Sequence, residues 1–473
     1  MTMDLRAYLA DPSVPVFRPE APVAVIHSIT AIQHALARAE RFPVVYVDKP
    51  MMADGTQSAM PVVTNLFASR ELNARVLGIA NHRQAAATFA SSIAQKAIPS
   101  VVVERAQAPV QAIVKEGDAA DVLALPVLRQ NAFDVAPYLT AAHISTFDPD
   151  SGIDNTSIQR LAVHGKRFMT FHAFGATHNA MNIRKFWAKG EACPVAVWIG
   201  HHPAISIGSQ AKLGYPESHW ATAGGMAGEA VRLVPSITHG EKLMVPADAE
   251  IVIEGWVPPN RHAADGPLAE YHGYMGLQIA CPTMDVTCIS HRRDAIYQDC
   301  GAGLHDHLIC ENLPIEGKIY SLVKPAAPSL VNVHLPFSGR RFNTYLQFSN
   351  PRAGEVRDAL AAALGFRRHR TVIAVDDDID IFDDSQIMWA LATRVQWHRD
   401  MITLDGLSYP PHDPSLPPGA KTITKAAIDA TLPPAPGPGM PRPFAPPIEV
   451  DESALRVAEA LLDGADPTNW PRA

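Results

Sequence analysis

The chain has 473 residues, 47% of them hydrophobic and 19% charged, a length that predicts two or three domains rather than one core. Its formal net charge of −8 excludes a surface built to hold nucleic acid or anionic lipid, since both need a basic face. Five cysteines (Cys193, Cys281, Cys288, Cys300, Cys310) lack C-x-x-C spacing, and no apolar signal core or 18-residue apolar run occurs, so reduced thiols in a soluble cytoplasmic protein are expected.

Taken in chain order, Asp4 is placed to cap a first helix through LRAYLA, and VAVIHSI and FPVVYVD read as short buried strands. RQAAATFASSIAQKAI is Ala-rich and reads as a helix. From residue 101 short β-rich runs recur: VVVERA, RFMTFHAF, CPVAVWIG, AEIVIEGWV and MDVTCIS. One clear helix, NAMNIRKFWAKG, lies among them and is closed by Gly190. So many short strands suggest a β-barrel or sandwich. From about residue 318 strands such as SLVNVHL and TVIAV alternate with the helical AGEVRDALAAALG and DSQIMWALATR, which reads as an α/β domain. After residue 405 come PPHDPSLPPG and LPPAPGPGMPRPFAPP, then an amphipathic helix, ESALRVAEALLDG. Pro-rich segments of this kind wrap a surface or a partner subunit.

No phosphate loop of the G-x-x-x-x-G-K-[ST] type occurs, and no strand-bounded G-x-G-x-x-G. His201 and His202 are adjacent but lie outside metalloprotease spacing, so they read first as turn residues. DNTSIQR is more informative. On a strand Asn155, Ser157 and Gln159 share one face and Arg160 points to the other. An Arg in such a segment is either a surface ion-pair residue or a fixed cation for a carboxylate or phosphate. RHAADGPLAEYHGYMG sets Asp265 and Glu270 five residues apart across a Gly-Pro turn, beside His272 and Tyr274. Two such acids are either solvated loop residues or a pair in which one pKa is raised for proton transfer.

DNTSIQR, His178 23 residues after Asn155, PVAVWIGHHPA, AEIVIEG and DGPLAEYHGY occur in that order, followed by TVIAVDDDIDIFDDSQIMWALATR and KTITKAAIDATLP. This succession, over roughly residues 60 to 435, resembles the UbiD-like carboxy-lyases, and its C-terminal run looks most like the hydroxybenzoate branch that includes protocatechuate and gallate decarboxylases. The resemblance implies an N-terminal α/β domain (1–100), a central split β-barrel domain binding prenylated FMN (101–310), a C-terminal α/β oligomerisation domain (318–435) that closes over substrate, and a Pro-rich tail with a terminal helix (436–473). It implies a reversible decarboxylase of an aromatic, heteroaromatic or unsaturated acid, a manganese or other divalent ion, often potassium, a flavin prenyltransferase that supplies the cofactor, and at least a homodimer. Arg160, Asp265 and Glu270 match the catalytic set, with Glu270 as proton donor and Arg160 holding the substrate carboxylate. Asp265 departs from the more usual Glu. Asn155 and His178 match metal ligands. The flavin would be lined by Ser157, Ile158, Gln159, Arg160, His172, Phe174 and Thr177, with Ser209, Gln210 and Lys425 nearby.

A second departure falls in GGMAGEAVRLV, where a third metal ligand, usually Glu, is replaced by Arg232. An Arg cannot ligate a cation. Either Glu229 reaches in, or Arg232 contacts the flavin phosphate directly, the preferred reading. Three function classes follow: the decarboxylase, a flavin-binding protein without turnover, and a His-rich metallohydrolase, for which ligand spacing is absent. For a hydroxylated ring, His307 is a candidate base.

Overall fold

The computed structural model describes residues 3–93, 96–173, 175, 177–410, 412–417, 419–437 and 440–463. Asp4 accepts the Ala7 amide at 2.9 Å and so caps the helix Leu5–Ala10, satisfying a donor that a helix start leaves open. Val44–Val47 pairs antiparallel with Val62–Thr64, and Val16–Phe17 lies parallel to the former. A fourth strand, Tyr297–Gln298, runs parallel to Val62–Thr64. The first hundred residues therefore do not complete their own sheet. The Ala-rich segment is also less regular than its composition predicts: among its described residues only Ala85–Thr88 is α-helical, between a 3₁₀ turn and a π turn.

The middle of the chain forms a ten-stranded antiparallel sheet. Its order is Asp154–Ile158, His143–Phe147, Cys193–Ile199, Ile251–Val257, Ile279–His291, Phe168–Phe171, Leu161–Gly165 and Tyr138–Leu139, with Ile113–Glu116 and His262–Asp265 also paired to the long strand Ile279–His291. Asp154–Ile158 lies at one edge, yet the chain runs from it straight into Leu161–Gly165 near the other, and the His172 amide donates to the Arg160 carbonyl at 3.3 Å. The sheet must curl back on itself for this to happen. Val195, Val197, Ile199, Ile251, Ile253 and Ile289 fill its interior, the alternation that an inward face requires. The helix His178–Ala188 flanks it and stops at Gly190, whose φ of +73° suits a residue without a Cβ.

The long helix His305–Val323 leads into a five-stranded sheet ordered Leu330–His334, Asn343–Phe348, Thr371–Asp376, Ile423–Asp429, Met401–Leu407. Glu355–Leu364 covers one face through Val356, Leu360 and Ala363, and Asp384–Arg394 covers the other through Ile387 and Ala390. This is the α/β alternation expected of the segment. Two compact units result, Met1–Ala430 and Thr431–Ala473, the second carrying the exposed helix Glu452–Leu462. All five cysteines are buried and free, and no helix among the described residues is long and apolar enough to cross a membrane.

One buried carboxylate joins early and late parts of the first unit. Asp306 accepts the Asn65 amide at 2.8 Å and the Phe67 amide at 2.7 Å. Asp306→Ala leaves those donors without an acceptor and should lower stability by about 3 kcal/mol, read as a fall in the urea midpoint at unchanged slope.

Candidate active site

Arg160 leaves the strand Asp154–Ile158 and turns its guanidinium into the interior, where its side chain is 11% exposed. Nη1 is bonded to Glu270 Oε1, and Nη2 lies 3.4 Å from Asp265 Oδ1. The two acids flank a turn that only glycine permits. Gly266 has φ +90°, and a Cβ there would sit 2.7 Å from the Leu277 carbonyl oxygen. Its amide donates to Tyr138 Oη at 2.9 Å. Glu270 is then held by a tight loop in which its own amide donates to the Tyr274 carbonyl at 3.0 Å. From the neighbouring strand Phe168–Phe171, Thr170 Oγ1 donates to Asp265 Oδ2 at 2.6 Å, and just beyond it His172 Nδ1 lies 3.8 Å from Asp265 Oδ1.

Burial pushes both carboxyls up, but it loses. The His172 and Thr170 hydrogen bonds and the Arg160 charge pull Asp265 below its ordinary range. Glu270 is likewise drawn down, by Arg160 and then by His412, His172 and His307. The expectation that crowding of two acids raises one pKa is not met in the ligand-free protein, because the cation sits between them. Burial dominates for the surrounding histidines. It takes His307 and His412 down to about 4, and the guanidiniums of Arg341 and Arg160 contribute to this at His307 and His412 respectively. Both rings are therefore neutral at pH 7. The Gly303 amide donates to His307 Nδ1 at 3.2 Å, which leaves the ring proton on Nε2. His412 stands 5.2 Å, ring to ring, from His172. It comes from PPHDPSLPPG, whose described residues are mostly exposed, His412 among them, as a surface wrap predicts, while Asp413 beside it is buried.

The Asn155, Ser157 and Gln159 face converges on a residue that sequence reasoning missed. Asn179 Nδ2 donates to Gln159 Oε1 at 2.8 Å and to Ser157 Oγ at 3.2 Å, while its Oδ1 accepts from Asn155 Nδ2 at 2.6 Å. Thr177 caps the same helix through Ala180, and His178 follows with its ring 5.2 Å from Tyr215 and 5.8 Å from His219. Ile158 packs with Ala204, Ile207 and Ala211, beside Ser209 and Gln210, whose side chains are hydrogen-bonded to each other at 3.0 Å. Asn179 and Thr170 were within reach of the sequence, one following His178 at a helix start and the other two residues before His172 on a strand. Phe174 lies outside the described residues.

Other expected site residues are engaged elsewhere. Lys425 is buried in the strand Ile423–Asp429, and its ammonium donates to the Phe366 and Leu364 carbonyls at 2.7 and 3.3 Å, closing the end of the helix Glu355–Leu364. Arg232 pairs with Asp248 at 2.8 Å and donates to the Gln107 carbonyl at 2.6 Å. Glu229 accepts the Met3 amide at 3.0 Å. His202 Nδ1 accepts the Ala204 amide at 3.3 Å and His201 Nδ1 accepts the His202 amide, so both are turn residues. A manganese set of Asn155, His178 and a third acid thus lacks its third member: an arginine holds that place, and Glu229 is turned to the N-terminus. The residues do not fit that ion. They do fit a ligand with hydrogen-bond acceptors, because Arg160 Nε is buried with no partner among the described residues.

The family model for the 3-octaprenyl-4-hydroxybenzoate carboxy-lyase Rift-related domain matches residues 101–305, and that for the C-terminal domain of the same enzyme matches residues 310–430. The chain belongs to the UbiD-like carboxy-lyase family, and it is an enzyme of the carboxy-lyase class. It is 28% identical over 419 residues to a phenolic acid decarboxylase of Sedimentibacter hydroxybenzoicus, covering 85% of this chain and 86% of that one. It is also similar to the UbiD-class enzyme HmfF from Pelotomaculum thermopropionicum in complex with FMN, with a TM-score of 0.87 and 29% identity over 96% of this chain and 99% of the other. An evolved dimeric form of HmfF in complex with prFMN gives a TM-score of 0.84 at 27% identity, over 97% of this chain and 100% of that one.

Arg160→Gln removes the cation that holds both acids down and leaves burial unopposed. Glu270 should then take up its proton at a higher pH than in the parent protein, appearing as a protonated-carboxyl infrared band that Glu270→Gln abolishes.

Proposed function

We propose that the protein is a reversible, non-oxidative decarboxylase of an aromatic, heteroaromatic or α,β-unsaturated carboxylic acid that works with prenylated FMN. The observation carrying this reading is the buried Arg160 guanidinium set between two carboxylates. Loss of carbon dioxide from an sp² carbon leaves an electron pair with nowhere to go, and the bound flavin supplies the sink. The rest is the task of the chain's own residues.

Arg160 binds the incoming carboxylate in bidentate fashion. To do so it releases Glu270, whose carboxyl is then raised by burial alone and takes up a proton. As carbon dioxide leaves, the Glu270 O–H proton passes to the carbon that carried the carboxylate, and the Glu270 carboxylate is regenerated. Asp265, kept ionised by Thr170 and His172, retains Arg160 in place throughout. Where the substrate is phenolic, neutral His307 donates its Nε2 proton to the ring oxygen as a hydrogen bond, because its Nδ1 lone pair is taken by the Gly303 amide. Asn155, Ser157 and Gln159, locked by Asn179, together with Ile158, Thr177, Ser209 and Gln210, form the wall against which the flavin rests. No divalent ion or potassium enters this scheme. Residues 101–310 are read as the flavin domain, with 1–100 beside it and 318–435 closing over the substrate. A homodimer and a prenyltransferase supplying the cofactor complete the proposal, supported by the dimeric, prFMN-bound HmfF form among the similar structures.

The test is carbon dioxide release from a panel of aromatic, heteroaromatic and acrylic acids by flavin-loaded protein. Glu270→Gln should lower kcat by about 100- to 10,000-fold. Flavin-loaded protein that turns over nothing in the panel would favour a flavin-binding protein without activity. Light scattering should return at least a dimer mass, and a monomer would overturn the oligomeric part.

A further inference from the structure

Three strands of the central sheet place three different donor types on one spot. Thr170 pairs with Thr283, so the same register carried two residues on sets His172 opposite Cys281, and Ala263 pairs with Cys281 two residues before Asp265. The result is His172 Nδ1 at 3.9 Å from Cys281 Sγ and 3.8 Å from Asp265 Oδ1, with all three donor atoms within 4.8 Å of one another and all three residues buried. A tetrahedral zinc centre with bonds of roughly 2.0–2.3 Å spaces its donors about 3.3–3.8 Å apart, so the two histidine separations need movements of about a few tenths of an ångström and the third, within 4.8 Å, an approach of up to about 1 Å. Strand backbones supply all three side chains or lie one step from them, which gives the set its rigidity.

We infer that His172, Asp265 and Cys281 form a binding site for a thiophilic divalent cation of the zinc type. A thiol and an imidazole select zinc or cobalt over magnesium or manganese. Charge favours the same outcome. Without metal, Arg160 faces Asp265 and Glu270 together, one positive charge against two negative. With metal bound, Cys281 gives its thiol proton to solvent, the cation is neutralised by Asp265 and the Cys281 thiolate, and Arg160 is left matched to Glu270 alone. The ion thus replaces the guanidinium on Asp265 Oδ1, and an occupied site withholds Asp265 from the catalytic set. The inference stands independently of the substrate and of the decarboxylase reading, because it is read by spectroscopy and not by turnover.

The experiment is titration of full-length protein, prepared without flavin and stripped of metal, with cobalt(II). One cobalt per chain should bind and show the thiolate-to-cobalt charge-transfer band in the near ultraviolet with strong visible bands of a tetrahedral centre, and zinc should bleach both. Cys281→Ser should lose the charge-transfer band, whereas Cys310→Ser should keep it. Absence of the band in the parent protein, or its survival in Cys281→Ser, overturns the site. X-ray absorption on the zinc-loaded parent protein decides the matter without any variant: one sulfur scatterer among nitrogen and oxygen is expected, and a shell without sulfur overturns the assignment.

Discussion

Two carboxylates lie almost wholly inside this protein, and a single guanidinium keeps them there. Buried alone, each would shed its charge by binding a proton. Arg160 holds them ionised, and in doing so ties the end of the Asp154–Ile158 strand to the turn from Asp265 to Glu270, with Thr170 of the neighbouring strand bonded to the same Asp265. Removing one partner from such a set typically costs about 3–5 kcal/mol, because an uncompensated charge stays behind. A substrate carboxylate is a replacement partner of the right sign and shape. The same pairing therefore specifies the fold locally and, under the proposed function, is the one a substrate carboxylate would displace.

Around this charged centre the protein arranges uncharged imidazoles. His172, His307 and His412 arrive from a strand end, a long helix and a loop between two strands of the C-terminal sheet, and desolvation by the surrounding protein draws the pKa of each down. Neutral rings do not repel Arg160, and His172 shares Asp265 with it. They supply polarity without charge, the condition under which small shifts of the guanidinium have large effects on Glu270.

Much of the site was legible because its residues follow backbone periodicity. The period of two in DNTSIQR places Asn155, Ser157 and Gln159 together, and their shared partner Asn179 shows that this is what the strand does. The Gly-Pro pair between Asp265 and Glu270 announces a turn, and the glycine is required by the Leu277 carbonyl. What was not legible is long-range. Counting two nearby acids suggests repulsion and a raised pKa, whereas the arginine that reverses the sign lies more than a hundred residues earlier in the chain. Proline-rich composition points to solvent, where His412 does lie, but not to its approach to His172, which depends on where a loop lands and not on its own residues. Lys425 matches a motif, yet its ammonium satisfies helix-end carbonyls, a role that no local pattern announces. Arg232 was visible as a departure, but its pairing with Asp248 was not.

The strand Tyr297–Gln298 has a consequence for biosynthesis. Val62 pairs early with Val47 but finds its second neighbour only after the chain has extended to Tyr297. While the intervening residues are being made on the ribosome, the hydrogen-bonding edge of Val62–Thr64 stays open, an invitation to wrong pairing of the kind chaperones suppress. Contacts between such distant positions also slow folding. The sheet begun by the first strands is thus completed only about 230 residues later, and a nascent chain arrested before residue 297 would expose that edge.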